Sequence, residues 1–364
     1  MKDQLKNEAI TLLRQLIATP SLSREESHTA ALLGEYLEEK GLEVRRRHHN
    51  LWVLSSHWKK DAPALLLNSH HDTVKPVTGW TRNPFEATQE GNKLYGLGSN
   101  DAGASLVSLI AVFLSLFDRD DLPFNLVLAA TAEEEISGSD GIASILEMLP
   151  PIAFGIVGEP TQMDMAIAEK GLLVIDAVAE GRSGHAAREE GDNAIYRAVR
   201  DIEWIRSYRF PRRSKLLGEV KCTVTQIEAG TQHNVVPDRC RFVIDLRTNE
   251  HYSNEEAFRI LQENTESKLE ARSFRLNSSG IDPDHPLVES GRAIRLKTFG
   301  SATLSDQALL PFPTVKMGCG DSARSHTADE YIRLSEIGSG IDVYLELLEQ
   351  LASRLEKSFS KHQL

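Results

Sequence analysis

Residues 64–74 read Ala-Leu-Leu-Leu-Asn-Ser-His-His-Asp-Thr-Val. The apolar run is short and unbroken, with turn-forming residues before it, which reads as a buried central strand rather than a helix or a half-exposed edge. It ends abruptly in the polar residues His70, His71 and Asp72. Two further runs end the same way. Phe124 to Thr131 leads into Ala132-Glu133-Glu134-Glu135, and Ile152 to Val157 leads into Gly158-Glu159-Pro160. In an open α/β sheet, strand ends of this kind are where ligands bind.

Working outward, helical and strand patterns alternate. Leu5 to Ile17 has helical apolar spacing, and Ser23-Arg24-Glu25-Glu26 resembles a capping box opening a helix that runs to about Lys40. Leu42 to Arg46 and Leu51 to Ser55 read as strands, Ala104 to Phe117 and Ser139 to Met148 as helices. This alternation implies an α/β sandwich around a mostly parallel sheet. From Leu172 the pattern changes to strand 172–179, helix 193–207, strands 221–227 and 240–247, helix 253–267 opened by Ser-Asn-Glu-Glu, and strand 269–276. That β-α-β-β-α-β order is the split, ferredoxin-like arrangement. The α/β character then returns with a helix at 287–299, a strand at 314–317 and a long helix at 334–353. The expectation is one α/β domain formed by residues 1–168 and 283–364, with an α+β domain of residues 169–282 inserted into it. The last residues, Lys357 to Leu364, are polar and expected to fray.

Composition narrows the function classes. The chain has 364 residues, 41% hydrophobic and 26% charged, enough apolar material for a core without disulfide staples. A net charge of -12 lacks the basic footprint of a nucleic-acid binder, and the short run Arg45-Arg46-Arg47-His48-His49 reads as a solvated strand edge. Cys222, Cys240 and Cys319 are scattered, with neither disulfide nor thiolate-metal spacing, which fits a reducing cytoplasm. Met1 to Arg14 is charged and has no signal-like apolar run, and no stretch has the ~18 consecutive apolar residues of a membrane span.

The polar motifs each admit a plain reading. Ser69 to Val74 can be a polar loop, Gly96-Leu97-Gly98-Ser99-Asn100-Asp101-Ala102-Gly103 a helix-capping loop, Glu133 to Glu135 a solvated helix start, Gly158-Glu159-Pro160 a turn, and His326 a structural histidine. The glycine motif also invites a dinucleotide reading, but Asp101 stands in the third glycine slot, where a carboxylate would repel a pyrophosphate. Taken together the motifs supply two imidazoles and three carboxylates, with a further glutamate beside one of them. Nitrogen and oxygen donors in that number suit two zinc ions.

Over nearly the whole chain and in the same order, these motifs resemble the peptidase M20 family, which includes acetylornithine deacetylase, succinyl-diaminopimelate desuccinylase, aminoacylase and glutamate-releasing carboxypeptidases. The resemblance implies that His70 and Glu159 hold one zinc, that Glu135 and His326 hold the other, and that Asp101 bridges them, with cobalt or manganese as substitutes. It implies that Asp72 orients His70 and that Glu134 is the general base, with Glu133 in a slot where the family has Asp. Gly181-Arg182-Ser183-Gly184-His185-Ala186-Ala187 resembles the family's lid motif, so the inserted domain is expected to act as a lid and dimerisation domain whose His185 stabilises the oxyanion. Asn234 and Arg247 match positions suited to the substrate α-carboxylate, although Arg247 can equally form a structural pair with Asp245. Two departures stand where subfamilies differ: Ala102-Gly103 follow Asp101 where a lysine is usual, and no proline follows His185, with Arg188 and Glu189 nearby instead.

The implied function is metal-dependent hydrolysis of a small N-acyl amino acid. N2-acetyl-L-ornithine is the leading substrate, giving acetate and L-ornithine in arginine biosynthesis. N-acetyl- or N-succinyl-citrulline, succinyl-diaminopimelate and dipeptides follow. A non-catalytic binding protein on this fold would be expected to lack a ligand or the base, and a nicotinamide oxidoreductase would need the glycine fingerprint that Asp101 interrupts. Neither a nucleic acid nor a membrane is expected as a partner, and a homodimer through the lid is what the resemblance implies for assembly.

Overall fold

The computed structural model describes residues 2–188 and 190–361; Glu189, one of the two residues noted beside the lid motif, lies outside them. The chain divides into two compact units, one of residues 1–167, 280–299 and 305–364, the other of residues 168–279 and 300–304.

In the first unit the strand Ala64–His70 is buried at every residue. It lies in parallel register between Asn125–Thr131 and Phe154–Val157, and Thr314–Lys316 pairs in parallel with the latter. These four parallel strands are the centre of the sheet. Antiparallel strands flank them, Asn50–Leu54 and then Arg45–Arg47 on one side and Met165–Glu169 on the other. The unbroken apolar runs follow from burial on both faces. Leu65 and Leu67 pack into one cluster with the helices Lys2–Ala18, Ala104–Leu116 and Leu334–Lys361, while Leu66 points into a second cluster with Trp52, Val127, Ile142 and Ile145. Arg45–Arg47 is exposed at every residue, as a charged edge strand should be.

The second unit is a four-stranded antiparallel sheet in the order Lys221–Ala229, Arg239–Arg247, Leu173–Glu180, Lys268–Ala271. Alternate residues Leu173, Ile175, Ala177 and Ala179 of one central strand, and Cys240, Phe242, Ile244 and Leu246 of the other, form a core with Ala198 and Ile205 of the helix Ala194–Ser207 and Leu261 of Asn254–Asn264. The strand order is that of the split β-α-β-β-α-β arrangement.

Several sequence expectations give way. Ser139 to Met148 forms two short 3-10 turns, Ile142–Ser144 and Leu146–Met148, because apolar i, i+3 spacing serves a 3-10 turn as well as an α-helix. The helix expected at 287–299 stops at Ala293, and Thr298–Ser301 is a strand. The segment expected to fray continues the last helix to Lys361, and residues 362–364 lie outside the described residues. One stretch, Ser99–Leu116, is long and apolar enough by composition to cross a membrane, and 83% of it is buried inside the protein.

Candidate metal centre

His70 closes the central strand at 1% exposure. Its Nδ1 lies 3.0 Å from the Asp72 carbonyl oxygen and 3.3 Å from Asp72 Oδ1. A carbonyl oxygen only accepts, so Nδ1 carries a proton; against the effect of burial, the carboxylates of Asp101 and Asp72 hold the ring's pKa well above its ordinary value, and a cation at Nε2 would take the place of the second proton. That atom is buried and without a hydrogen-bond partner. It lies 3.4 Å from Asp101 Oδ1, 3.7 Å from Glu159 Oε1 and 3.9 Å from Glu134 Oε2.

Asp101 sits in the irregular turn Ser99–Gly103 that precedes the core helix. The glycines of this motif serve packing rather than a pyrophosphate. Gly98 holds a φ of 75°, and a Cβ on Gly103 would stand 2.4 Å from the Gly98 carbonyl oxygen. The two carboxylate oxygens of Asp101 face different partners. Oδ1 approaches His70, and Oδ2 lies 3.7 Å from His326 Nε2, which is itself 2.9 Å from Glu135 Oε2. Two groups with ligand-type atoms within 4.8 Å of one another therefore share Asp101: His70, Asp101 and Glu159, and Asp101, Glu135 and His326.

These groups fit divalent cations. Two ligand atoms on a tetrahedral zinc stand about 3.3 Å apart for bonds of about 2.0 Å, close to the spacings around His70 Nε2. Glu159 Oε1, like His70 Nε2, is buried and unpartnered. Electrostatics point the same way. Burial and the charge of Asp101 raise the Glu159 carboxyl to about 8, and burial with the charge of Glu159 lifts Glu134 well above the carboxylate range. Burial also raises Glu135, against its hydrogen bond with His326. The hydrogen bond to Glu135 carries His326 up to about 9. So many carboxylates packed together hold protons that a divalent cation would displace.

The backbone supporting these side chains is tied by buried carboxylates. The Asp72 carboxylate accepts hydrogen bonds from the Glu134 and Glu135 N–H groups at 3.0 and 3.2 Å and from Ser23 Oγ at 2.7 Å. It thus holds the Glu134 loop as well as facing His70. Ser23 is thereby drawn away from the capping-box role; the helix begins at Ser27 with no side-chain cap bond. The buried Glu330 carboxylate accepts from the N–H groups of Gly98, Asn100 and Asp101. Buried Asp306 accepts from Asn68 Nδ2 at 2.9 Å and Thr131 Oγ1 at 2.8 Å, joining the ends of two central strands. Neither Asp306 nor Glu330 carries a local signal of these partners, which are distant in sequence. Gly138 has a clear purpose too, since a Cβ there would meet Glu133 Oε2 at 1.7 Å.

The remaining expected residues lie in the second unit. Gly184–His185 pairs with Val235–Val236, and Ala186 N–H donates to the Asn234 carbonyl, which brings His185 beside Asn234. His185 is exposed, and its Nδ1 accepts from the Ala187 N–H. Arg247 donates from Nε and Nη2 to the two oxygens of Asp245 at 2.8 and 2.9 Å, the structural pairing of the two roles open to it.

Comparison with known proteins gives the family. Residues 66–350 match the family described as peptidase family M20/M25/M40. A succinyl-diaminopimelate desuccinylase of Xylella fastidiosa (strain M12) is 25% identical over 387 residues, covering 95% of this chain and 99% of the relative. An acetylornithine deacetylase of Proteus mirabilis (strain HI4320) is 28% identical over 378 residues, covering 93% and 96%. Among solved structures, aminopeptidase PepT from Bacillus cereus ATCC 10987 superposes with a TM-score of 0.76 at 19% identity, covering 97% of this chain and 99% of that one. The Bacillus subtilis YXEP protein, a dinuclear metal binding peptidase, gives 0.70 at 16% identity, covering 97% and 99%. The chain belongs to peptidase family M20/M25/M40, a family of metal-dependent hydrolases.

Proposed function

We propose that this protein is a two-metal amidohydrolase that removes the acyl group from the α-amine of an amino acid. The leading substrate is N2-acetyl-L-ornithine, cleaved to acetate and L-ornithine, with N-succinyl or N-acetyl-citrulline and succinyl-diaminopimelate as the next candidates. The observation that carries the reading is the shared carboxylate: Asp101 turns one oxygen to each of two ligand-type groups, with Glu134 beside the first. The acyl-amino acid class is supported by relatives bearing both desuccinylase and deacetylase names at similar identity.

In this reading His70, Asp101 and Glu159 hold one cation and Asp101, Glu135 and His326 the other, with zinc the expected metal and cobalt or manganese as substitutes. Bound there, divalent cations would supply Lewis acidity for the scissile carbonyl and would bring the pKa of water toward neutral. Glu134, 11% exposed at the side chain, takes the proton from the attacking water and delivers it to the leaving amine. Asp72 holds Glu134 through the backbone and His70 through the ring. His185 is the proposed donor to the oxygen that gains charge, and Asn234 a contact for the substrate carboxylate. Arg247 is committed to Asp245 and is the weaker of the two substrate contacts. A cytoplasmic role in arginine biosynthesis, and dimerisation through residues 169–282 acting as a lid, belong to the same proposal.

The test is a panel of acetyl- and succinyl-ornithine, -citrulline and -diaminopimelate, with a dipeptide control, scored by release of free amine. Preferred cleavage of an acyl-amino acid supports the proposal; a preference for the dipeptide overturns the substrate class. Glu134→Gln should keep its metal and lose at least ~10²-fold in kcat, the scale of a lost general base. Near-normal turnover by that variant removes Glu134 from its role.

A further inference from the structure

Four consecutive backbone N–H groups, those of Ala132 to Glu135, are each captured by a side chain from elsewhere in the chain. Asn50 Oδ1 accepts from Ala132 at 3.0 Å, Glu26 Oε1 from Glu133 at 3.2 Å, and the two Asp72 oxygens from Glu134 and Glu135. Asp72 and its neighbour His70 belong to the site already described. Glu26 does not: it lies at the start of the helix Ser27–Glu39 and belongs to neither ligand-type group.

Glu26 is 0% exposed. A buried carboxylate is tolerated only when its oxygens are matched by donors, and both are. Oε1 also accepts from the Arg24 N–H at 2.7 Å, and Oε2 lies 2.7 Å from His49 Nδ1. The residue it grips has its carbonyl tied within the loop by the Gly138 N–H at 2.8 Å, and its own N–H is held by Glu26. Glu133 has a φ of 55°, in the left-handed region that a side chain with a Cβ disfavours, and it immediately precedes Glu134. Its own carboxylate folds back over Gly138 to accept from the Asp140 N–H, so it cannot hold that backbone from the other side.

We propose that Glu26 is a positioning residue for Glu134: its carboxylate locks the left-handed backbone at Glu133 and so fixes the direction in which the next side chain enters the site. The proposal rests on Glu134 being the general base. It distinguishes Glu26 from a buried acid that merely stabilises the fold, because the effect of losing it must pass through Glu134.

The experiment is a double-mutant cycle of Glu26→Asp, which falls short of the Glu133 N–H, with Glu134→Gln, measured on metal-loaded protein with the best substrate of the panel. The expected result for Glu26→Asp is an unchanged metal content, a KM within about twofold of the parent, and a kcat lower by on the order of 10- to 10²-fold, the scale of a misplaced catalytic group. In the Glu134→Gln background the same substitution should change the residual kcat by less than about twofold. An equal loss in both backgrounds, or a wild-type kcat for Glu26→Asp, overturns the inference. A Glu134→Gln variant that turns over normally instead overturns the base assignment, and is seen in the same cycle. If Glu26→Asp does not fold, Glu26→Ala reads the same quantity, since it removes the acceptor of the Glu133 N–H without leaving a buried charge.

Discussion

Asp72 is the residue whose loss separates two jobs. Its substitution by Asn keeps the shape but replaces one acceptor oxygen with a donor amide. Three donors converge on the native carboxylate, from Glu134 N–H, Glu135 N–H and Ser23 Oγ, at 1% exposure. The Ser23 hydroxyl can rotate away, but one of the two backbone N–H groups must then face the amide nitrogen. A buried donor left unpaired costs about 1–3 kcal/mol, and loss of the charged acceptor weakens the bond that remains, so Asp72→Asn should lower stability by about 2–4 kcal/mol. Metal affinity should suffer less. His70 Nδ1 keeps its 3.0 Å contact with the Asp72 backbone carbonyl, so the tautomer is preserved and the loss should fall at the low end of the ~10- to 100-fold typical of a lost ligand-orienting partner. The rate should fall further than the affinity, because the Glu134 loop has lost its anchor. Denaturant unfolding of the metal-free protein gives the first quantity, titration against a competing chelator the second, and kcat at saturating metal the third. A variant as stable as the parent, or one that loses its metal while keeping its kcat, would refute the reasoning.

Two further outcomes follow from the packing. Gly138→Ala places a methyl 1.7 Å from Glu133 Oε2 and 2.5 Å from its Cβ, so the Glu133 side chain must leave its seat; a loss of about 1–3 kcal/mol by denaturant unfolding is expected, with kcat reduced. Burial raises the Asp306 carboxyl from 3.8 to about 6, so the folded state favours its protonated form, and that contribution, full below the unfolded value, is lost as pH rises through about 6. Asp306→Asn does not titrate, so its stability relative to the parent should improve by about 1–2 kcal/mol between pH 5 and pH 8 in metal-stripped protein; a pH-independent difference would contradict the assignment.

What the sequence disclosed and what it withheld divide along a physical line. Ala64–His70 was legible because burial on both faces demands an unbroken apolar run, and the acidic and histidine residues at its end and its neighbours' ends stood out against that run. The cap Ser253, which accepts from the Glu256 N–H, was legible because its partner is three residues away. Ser23 has the same local pattern, yet its hydroxyl goes to Asp72 and Glu26 turns to His49 and Glu133. Long-range buried polar partners overrode the local signal. Glu26, Asp306 and Glu330 act by accepting hydrogen bonds from residues distant in sequence, and no spacing rule reveals such partners. Met165–Glu169 was missed as a strand; it is a run of only five residues directly after the turn that Thr161 and Asp164 close.

The central claim is that two cations held around Asp101 enable hydrolysis of an acyl-amino acid. The most direct measurement is elemental analysis of chelator-stripped and reconstituted protein, with amine release from N2-acetyl-L-ornithine and its succinyl and citrulline counterparts followed on both samples. The account predicts close to two divalent ions per chain after reconstitution, turnover that appears with them and is absent from the stripped protein, and loss of one or both ions in Asp101→Ala. Full turnover in stripped protein, or a reconstituted chain that binds no divalent ion, would contradict it.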